Sequence, residues 1–346
     1  MKYVKSFDVI IISAVFMLLT GCSSKESALD ISMAAIEAKD YDSAIAVSGE
    51  AIAAGGSKLD RRAKGIAHLG RGEYEMAAQA FIDALACSNG LVDQADIDIS
   101  CYLATAQYKM GNIEEALATC DAICAIRPAD DGAHFLRGKI ELALGNKDEA
   151  LASFDRTVSL APEDYDRYVG IYEELHAKGY DAEASSYLEK AMSAGNKLSD
   201  YNKGVLEYYL LSYTDARNDL ENAKKKGNNE NLTLYLGKTY EALGDASYAM
   251  SLYEEFIRED PSAGRIYEQL ATCKIQNGDY EGALDVIETA LMSGNGEGEA
   301  GLMFDRVVAY EMLYDFESAK KSMEEYLKLY PDDEIAKREN VFLSSR

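Results

Sequence analysis

The 346-residue sequence has no tryptophan, only four prolines and three histidines, and its 35 lysines and arginines are outnumbered by 60 aspartates and glutamates. Each shortage excludes something. A formal charge of −25 leaves no cationic surplus for a phosphate backbone, which argues against nucleic acid and against a basic patch resting on anionic lipid headgroups. There is no Walker loop, no GxGxxG after a strand, no HExxH and no GxSxG. The few histidines, His68, His134 and His176, stand at no motif that would make them catalytic bases. Scarce proline, with abundant alanine, leucine, tyrosine and glutamate, favours helices over sheets. At 48% apolar and 27% charged residues, the chain is one that folds.

The start combines Lys2 and Lys5 with an apolar run from Val9 to Leu19. That run is shorter than the roughly 20 residues a bilayer span requires, and the layout is that of a secretory signal. It ends in Leu19-Thr20-Gly21-Cys22, which resembles the lipobox of bacterial lipoproteins. The resemblance implies a signal peptide over 1–21, cut before Cys22, and acyl chains such as palmitate on Cys22. Residues 22–27 would form a lipidated tether, placing a membrane-anchored lipoprotein outside the cytoplasm, at the cell surface or the periplasmic face. Two or more acyl chains suffice for stable anchoring where one does not.

The remainder repeats. An alanine followed four residues later by a larger or apolar residue recurs at Ala44, Ala77, Ala116, Ala150, Ala184, Ala216, Ala249, Ala283 and Ala319. Spacings between them run from 32 to 39 residues. Five residues before six of these alanines stands a glycine: Gly72, Gly111, Gly145, Gly179, Gly244 and Gly278. Glycine there can adopt the left-handed conformation that ends one helix and admits the next. All four prolines, Pro128, Pro162, Pro261 and Pro331, fall twelve residues after such an alanine, where each would stop a second helix. Between these marks apolar residues recur at three and four, so each unit is a helical hairpin. A small residue on each helix, such as Gly237 facing Ala249, is expected to let the backbones approach. One hairpin cannot bury its apolar face alone, but a stack of them can.

The pattern resembles the tetratricopeptide repeat, with its W-x2-L-G-x2-Y, A-x3-F and P positions. The unit 230–263 carries Leu236-Gly237, Tyr240, Ala249, Tyr253 and Pro261 at those places. The resemblance implies an all-α solenoid superhelix of about nine hairpins over 28–331, followed by a C-terminal capping helix in 332–346. In that helix Ile335, Val341 and Phe342 are expected to cover the last hairpin. Surplus residues at Ser88–Asp93 predict a surface loop, and the glycine-rich 293–298 a hinge.

In the tetratricopeptide family the first helix of each unit lines a concave groove that holds a peptide or a partner helix. Carried over by register, the groove would include Tyr108, Phe135, Lys139, Tyr201, Val205, Tyr208, Tyr209, Lys238 and Phe304. Cys101, Thr105, Val169, Glu173, Leu234 and Val308 fall on the same wall. Chaperone-binding members clamp a terminal carboxylate with asparagines and lysines. Here those sites hold Thr105, Lys139, Glu173, Val205 and Lys238, with no asparagine, which argues against that ligand.

Six cysteines are present, and with Cys22 lipidated the other five cannot all pair. Cys120 and Cys124 lie one turn apart and either could meet Cys101; small buried residues at helix contacts are favoured over a metal pair or a disulfide. The sequence thus predicts no catalytic residue, cofactor or metal. It points to protein or peptide partners, favoured if basic, with no nucleic acid, and to membrane attachment through Cys22. The expected function is a cell-envelope scaffold or adaptor; the alternative is a surface protein capturing peptides or glycans for a transporter.

Overall fold

The computed structural model describes residues 27–88, 90–194, 198–293, 299–331 and 333–346. The expected leader over 1–21, Cys22, the expected tether up to residue 26 and residues 294–298 of the glycine-rich break lie outside the described residues. The rest forms nineteen α-helices, with no strand among the described residues. They pair as nine hairpins: α1 (Ala28–Glu37) with α2 (Tyr41–Ala53), α3 (Lys58–Gly70) with α4 (Tyr74–Leu85), α5 (Gln94–Lys109) with α6 (Ile113–Ile126), α7 (Asp131–Leu144) with α8 (Lys147–Leu160), and α9 (Tyr165–Ala177) with α10 (Asp181–Ala194). There follow α11 (Asp200–Tyr209) with α12 (Tyr213–Lys224), α13 (Glu230–Ala242) with α14 (Ala246–Glu259), α15 (Gly264–Gln276) with α16 (Tyr280–Ser293), and α17 (Glu299–Met312) with α18 (Phe316–Leu329). A single helix, α19 (Glu334–Leu343), closes the array.

Every first helix meets the first helix of the next unit, from α1 against α3 to α15 against α17, while no comparable row joins the second helices. The first helices therefore lie on the inner side of a curved ribbon. The all-α solenoid is as the repeat predicted. Each proline stands two residues past the end of its second helix. Part of the surplus before the third unit extends α5, which at 16 residues is longer than its counterparts, and only the remainder is loop.

All six register glycines have positive φ, between 74° and 84°. The other three units place Lys39, Leu211 and Tyr314 at the same position, and these are the three non-glycine residues with positive φ (57°, 62° and 60°) among the described residues. The turn geometry is thus imposed by the hairpin and met even where it strains the residue. Leu211 and Tyr314 are 68% and 82% exposed, so their side chains contribute little packing. Replacing either with glycine is expected to raise stability by about 0.5–1 kcal/mol, read as a higher urea midpoint. A lowered midpoint would contradict the strain.

Within a hairpin, the two helices interlock by size. A Cβ on Gly237 would sit 2.2 Å from the Tyr253 ring, on Gly138 2.4 Å from Phe154, on Gly65 2.5 Å from Phe81 and on Gly204 2.6 Å from Leu220. The glycine accordingly makes room for the bulky side chain sixteen residues on. In two units that position is alanine and the residue sixteen on is not aromatic: Ala104 shares a core cluster with Cys120, and Ala271 with Ile287. Close packing across the pair explains the matching, since interiors leave few voids.

The closing helix corrects one expectation. Ile335, Val341 and Phe342 are 66%, 73% and 41% exposed, while Ala336 and Leu343 are buried against the last hairpin. Asp333 caps α19 by accepting from the Ile335 and Ala336 amides, so Ala336 and Leu343 are the third and tenth residues after the cap. Ala133 and Ile140 in α7, and Leu232 and Thr239 in α13, are buried at those same positions. Helix α19 therefore docks as the first helix of a tenth unit. Val341 occupies the place of Gly237, where no second helix follows to cover it within the described residues.

Candidate functional site

Four successive first helices, α9, α11, α13 and α15, bring together a cavity of about 340 Å³ lined by Asp166, Val169, Gly170, Glu173, Tyr201, Val205, Asn231, Tyr235 and Arg265. The caps of these helices set its rim. Asp164, Ser199 and Asn229 accept backbone amides at the starts of α9, α11 and α13, fixing where Asp166, Tyr201 and Asn231 begin each first turn.

Tyrosines tie the helices together. Tyr209 Oη donates to Glu173 Oε1 at 2.6 Å, and its oxygen lies 3.1 Å from Tyr235 Oη. Ring centroids of Tyr208 and Tyr209 are 5.8 and 5.9 Å from that of Tyr235, both edge-on, and Tyr201 meets the same ring at 6.5 Å. Tyr172 closes the set against Tyr209 at 5.3 Å. Burial pushes the Tyr201 phenol up to about 12 and the Tyr209 phenol well above its ordinary range. These hydroxyls stay neutral and can both donate and accept.

Charge of both signs borders the cavity. Arg265 Nη1 donates to Asn231 Oδ1 at 2.6 Å. Lys238, one turn beyond Leu234, is largely desolvated, which lowers its pKa; Glu241, Arg265, Glu268 and Glu173 act on it electrostatically, yet it forms no ion pair among the described residues. Farther along the same wall, burial raises the pKa of Glu268 and of Asp305, and Asp305 accepts from Thr272 Oγ1 at 2.8 Å.

Of the residues expected on the groove wall, Val169, Glu173, Tyr201 and Val205 line this cavity, while Tyr208, Tyr209 and Lys238 border it. Others stand elsewhere. Tyr108 packs against the Ala104–Cys120 core, and Phe304 lies edge-on to Tyr326 at 5.7 Å. Phe135 leans on Phe154 at 5.9 Å beneath the Arg167 guanidinium. Lys139 is bound to Glu174 at 2.7 Å. Sequence reasoning missed Asp166, Asn231, Tyr235 and Arg265. Asn231 and Arg265 are 34 residues apart, one repeat, and that register was the available signal.

The arrangement offers hydrogen bonds, aromatic edges and mixed charge, which suit the amides and side chains of a polypeptide. It pairs no nucleophile with a base. Among the described residues no group of three or more histidines, cysteines or acids is placed to hold a metal ion. Cys87, Cys101, Cys120, Cys124 and Cys273 are all unpaired thiols, and Cys124 Sγ lies 3.6 Å from His134 Nδ1.

Models of the tetratricopeptide repeat match residues 101–165 and 234–300, and a second such model matches 302–333. Tetratricopeptide repeats are therefore present in the chain. Among solved structures, a tetratricopeptide repeat protein from Parabacteroides merdae is 16% identical, with 84% of this chain and 99% of that one covered and a TM-score of 0.48. MamA is 19% identical over 48% of this chain and 94% of its own, with a TM-score of 0.39. A chain of the APC/C hetero-tetramer Cut9–Hcn1 is 13% identical over 93% and 64%, with a TM-score of 0.43. No curated protein matches.

Proposed function

We propose that this chain is a protein-interaction scaffold that holds an extended segment of another protein against α9, α11, α13 and α15, while lipid on Cys22 tethers it to a membrane outside the cytoplasm. The observation that carries the reading is the mixed polar and aromatic cavity built by four consecutive units on the inner side of the ribbon. The lipobox and preceding apolar run support the tether. The acidic surface, with a formal charge of −25, favours segments that carry lysine or arginine and speeds their encounter. Anchoring raises effective concentration, so modest affinities suffice.

A photo-crosslinking residue at position 235 in the full chain, expressed in a bacterium, tests the groove. It should capture a discrete partner, with yield lowered at least tenfold by Tyr201→Ala plus Arg265→Ala, and falling as salt rises. The same adducts from a probe at exposed Met292 would sink the reading. Separately, Cys22→Ala should abolish incorporation of a palmitate analogue.

The tyrosine cluster favours one other reading, capture of peptides or glycans for a transporter. Titration with oligosaccharides and short peptides separates the two. Saturable binding lost in Tyr208→Ala would favour capture.

A further inference from the structure

Helix α3 differs from the acidic chain around it. From Lys58 to Arg71 it gathers Lys58, Arg61, Arg62, Lys64 and Arg71, with His68 and a single acid, Asp60. Most of these cations are balanced. Lys58 bridges Asp93 and Asp96, Arg62 pairs with Asp98, and Arg71 reaches Asp42 and Glu73. Two are not. Arg61 donates to the carbonyls of Gly56 and Ser57, at 2.7 and 3.1 Å, and to no carboxylate. Lys64 makes no ion pair with a described residue.

These two line a cavity of about 230 Å³ between α2 and α4, on the side of α3 away from the groove, together with His68. His68 is 5% exposed, and its Nδ1 lies 2.6 Å from Glu73 Oε2, which leaves the other ring nitrogen without a hydrogen bond. Ile52, Met76 and Ala80 supply an apolar wall. The one carboxylate present, Asp83, is engaged by Gln79 Nε2 at 2.8 Å.

We propose that this cavity binds a phosphate ester, with Arg61 and Lys64 holding its oxygens, His68 accepting from a phosphate hydroxyl at its second nitrogen, and the apolar wall receiving the carbon side. The net charge of the chain argues against anionic ligands in general, but short-range pairing decides at a cavity, and here two cations without an ion pair outnumber one carboxylate, Asp83, which is hydrogen-bonded by Gln79. A guanidinium, an ammonium and an imidazole on one helix face suit a tetrahedral anion with several acceptor oxygens better than a planar carboxylate. The phosphate could arrive on a lipid headgroup or on a soluble metabolite.

The test titrates the full chain in nonionic detergent with inorganic phosphate, glycerol 3-phosphate and a short-chain phosphatidylglycerol, with sulfate as competitor. Saturable binding of a phosphate ester, weakened at least tenfold by Lys64→Glu and by Arg61→Gln but not by Lys320→Glu, supports the site. Lipid binding more tightly than glycerol 3-phosphate assigns a headgroup; the reverse order assigns a soluble phosphate. Circular dichroism of the variants confirms that the fold is kept. No saturation by any probe, equal binding by Lys64→Glu, or full displacement by equimolar sulfate would overturn the proposal.

Discussion

Gly237→Ala should destabilise the protein by about 2 kcal/mol, although alanine is the better helix former by about 1 kcal/mol. The added methyl would meet the Tyr253 ring at 2.2 Å. That ring cannot give way cheaply. Tyr253 is fully buried, its hydroxyl donates to Glu241 Oε1 at 2.6 Å, and Glu241 in turn accepts from Gln269 of the next unit. Overpacking a well-filled core typically costs about 1–3 kcal/mol, so the clash outweighs the propensity gain. The chain's own units state the remedy, because Ala271 stands beside Ile287 where Gly237 stands beside Tyr253. Gly237→Ala combined with Tyr253→Ile should therefore recover part of the loss. Gly49, inside α2, is the control, since a Cβ there meets nothing within 4 Å. Gly49→Ala should raise stability by about 1 kcal/mol. Urea midpoints followed by circular dichroism read all three. Equal shifts for Gly237→Ala and Gly49→Ala would show that packing across the hairpin is looser than the geometry requires.

Between pH 5 and 8 stability should fall as pH rises, by about 1 kcal/mol for each of two glutamates after allowing for solvent screening. Burial pushes Glu207 on α11 up to about 7, with Asp219 adding to the rise and Lys203 opposing it. Burial also pushes Glu311 on α17 up to about 7, and Glu339 on α19, with which it shares a hydrogen bond, adds to the rise. One oxygen of each, Glu207 Oε2 and Glu311 Oε1, is buried without a hydrogen-bond partner. The folded-state values lie above those of the unfolded chain. Their contribution is therefore complete below the ordinary glutamate pKa of 4.5 and is lost as pH climbs through about 7. Asp96 acts oppositely in a separate window. Hydrogen bonds from Ser88, the Asp93 amide and Lys58 overcome its burial and lower it to about 2, so its contribution is lost only as pH falls toward that value. Glu311→Gln should raise the urea midpoint at pH 8 and flatten the slope, while leaving pH 5 nearly unchanged. A midpoint that climbs from pH 5 to 8 in the unaltered chain would refute this account of the two sites.

Much of the fold was legible because its determinants are local. The left-handed turn before each second helix is written as glycine six times, and the remaining three units take that conformation with Lys39, Leu211 and Tyr314. Proline stops four second helices at one register position because a ring without an amide hydrogen cannot continue a helix. The site was less legible. Leu234 and Tyr235 are neighbours in sequence, yet Leu234 is buried in the core and Tyr235 lines the cavity. One residue turns a helical side chain through about 100°, so reading the inner wall requires the rotation of each helix about its axis. Only contacts between units supply that.

The same division runs through the whole chain. Composition and period alone determined that this is an array of helical hairpins, where each turns and where each stops, since backbone conformation answers to the residue that adopts it. Which tyrosine joins α11 to α13, why Val341 is left bare while Leu343 is covered, and which cations on α3 remain unpaired were decided by tertiary structure. Those outcomes depend on side chains tens of residues apart meeting at a few ångströms, and a repeat register constrains such meetings without specifying them.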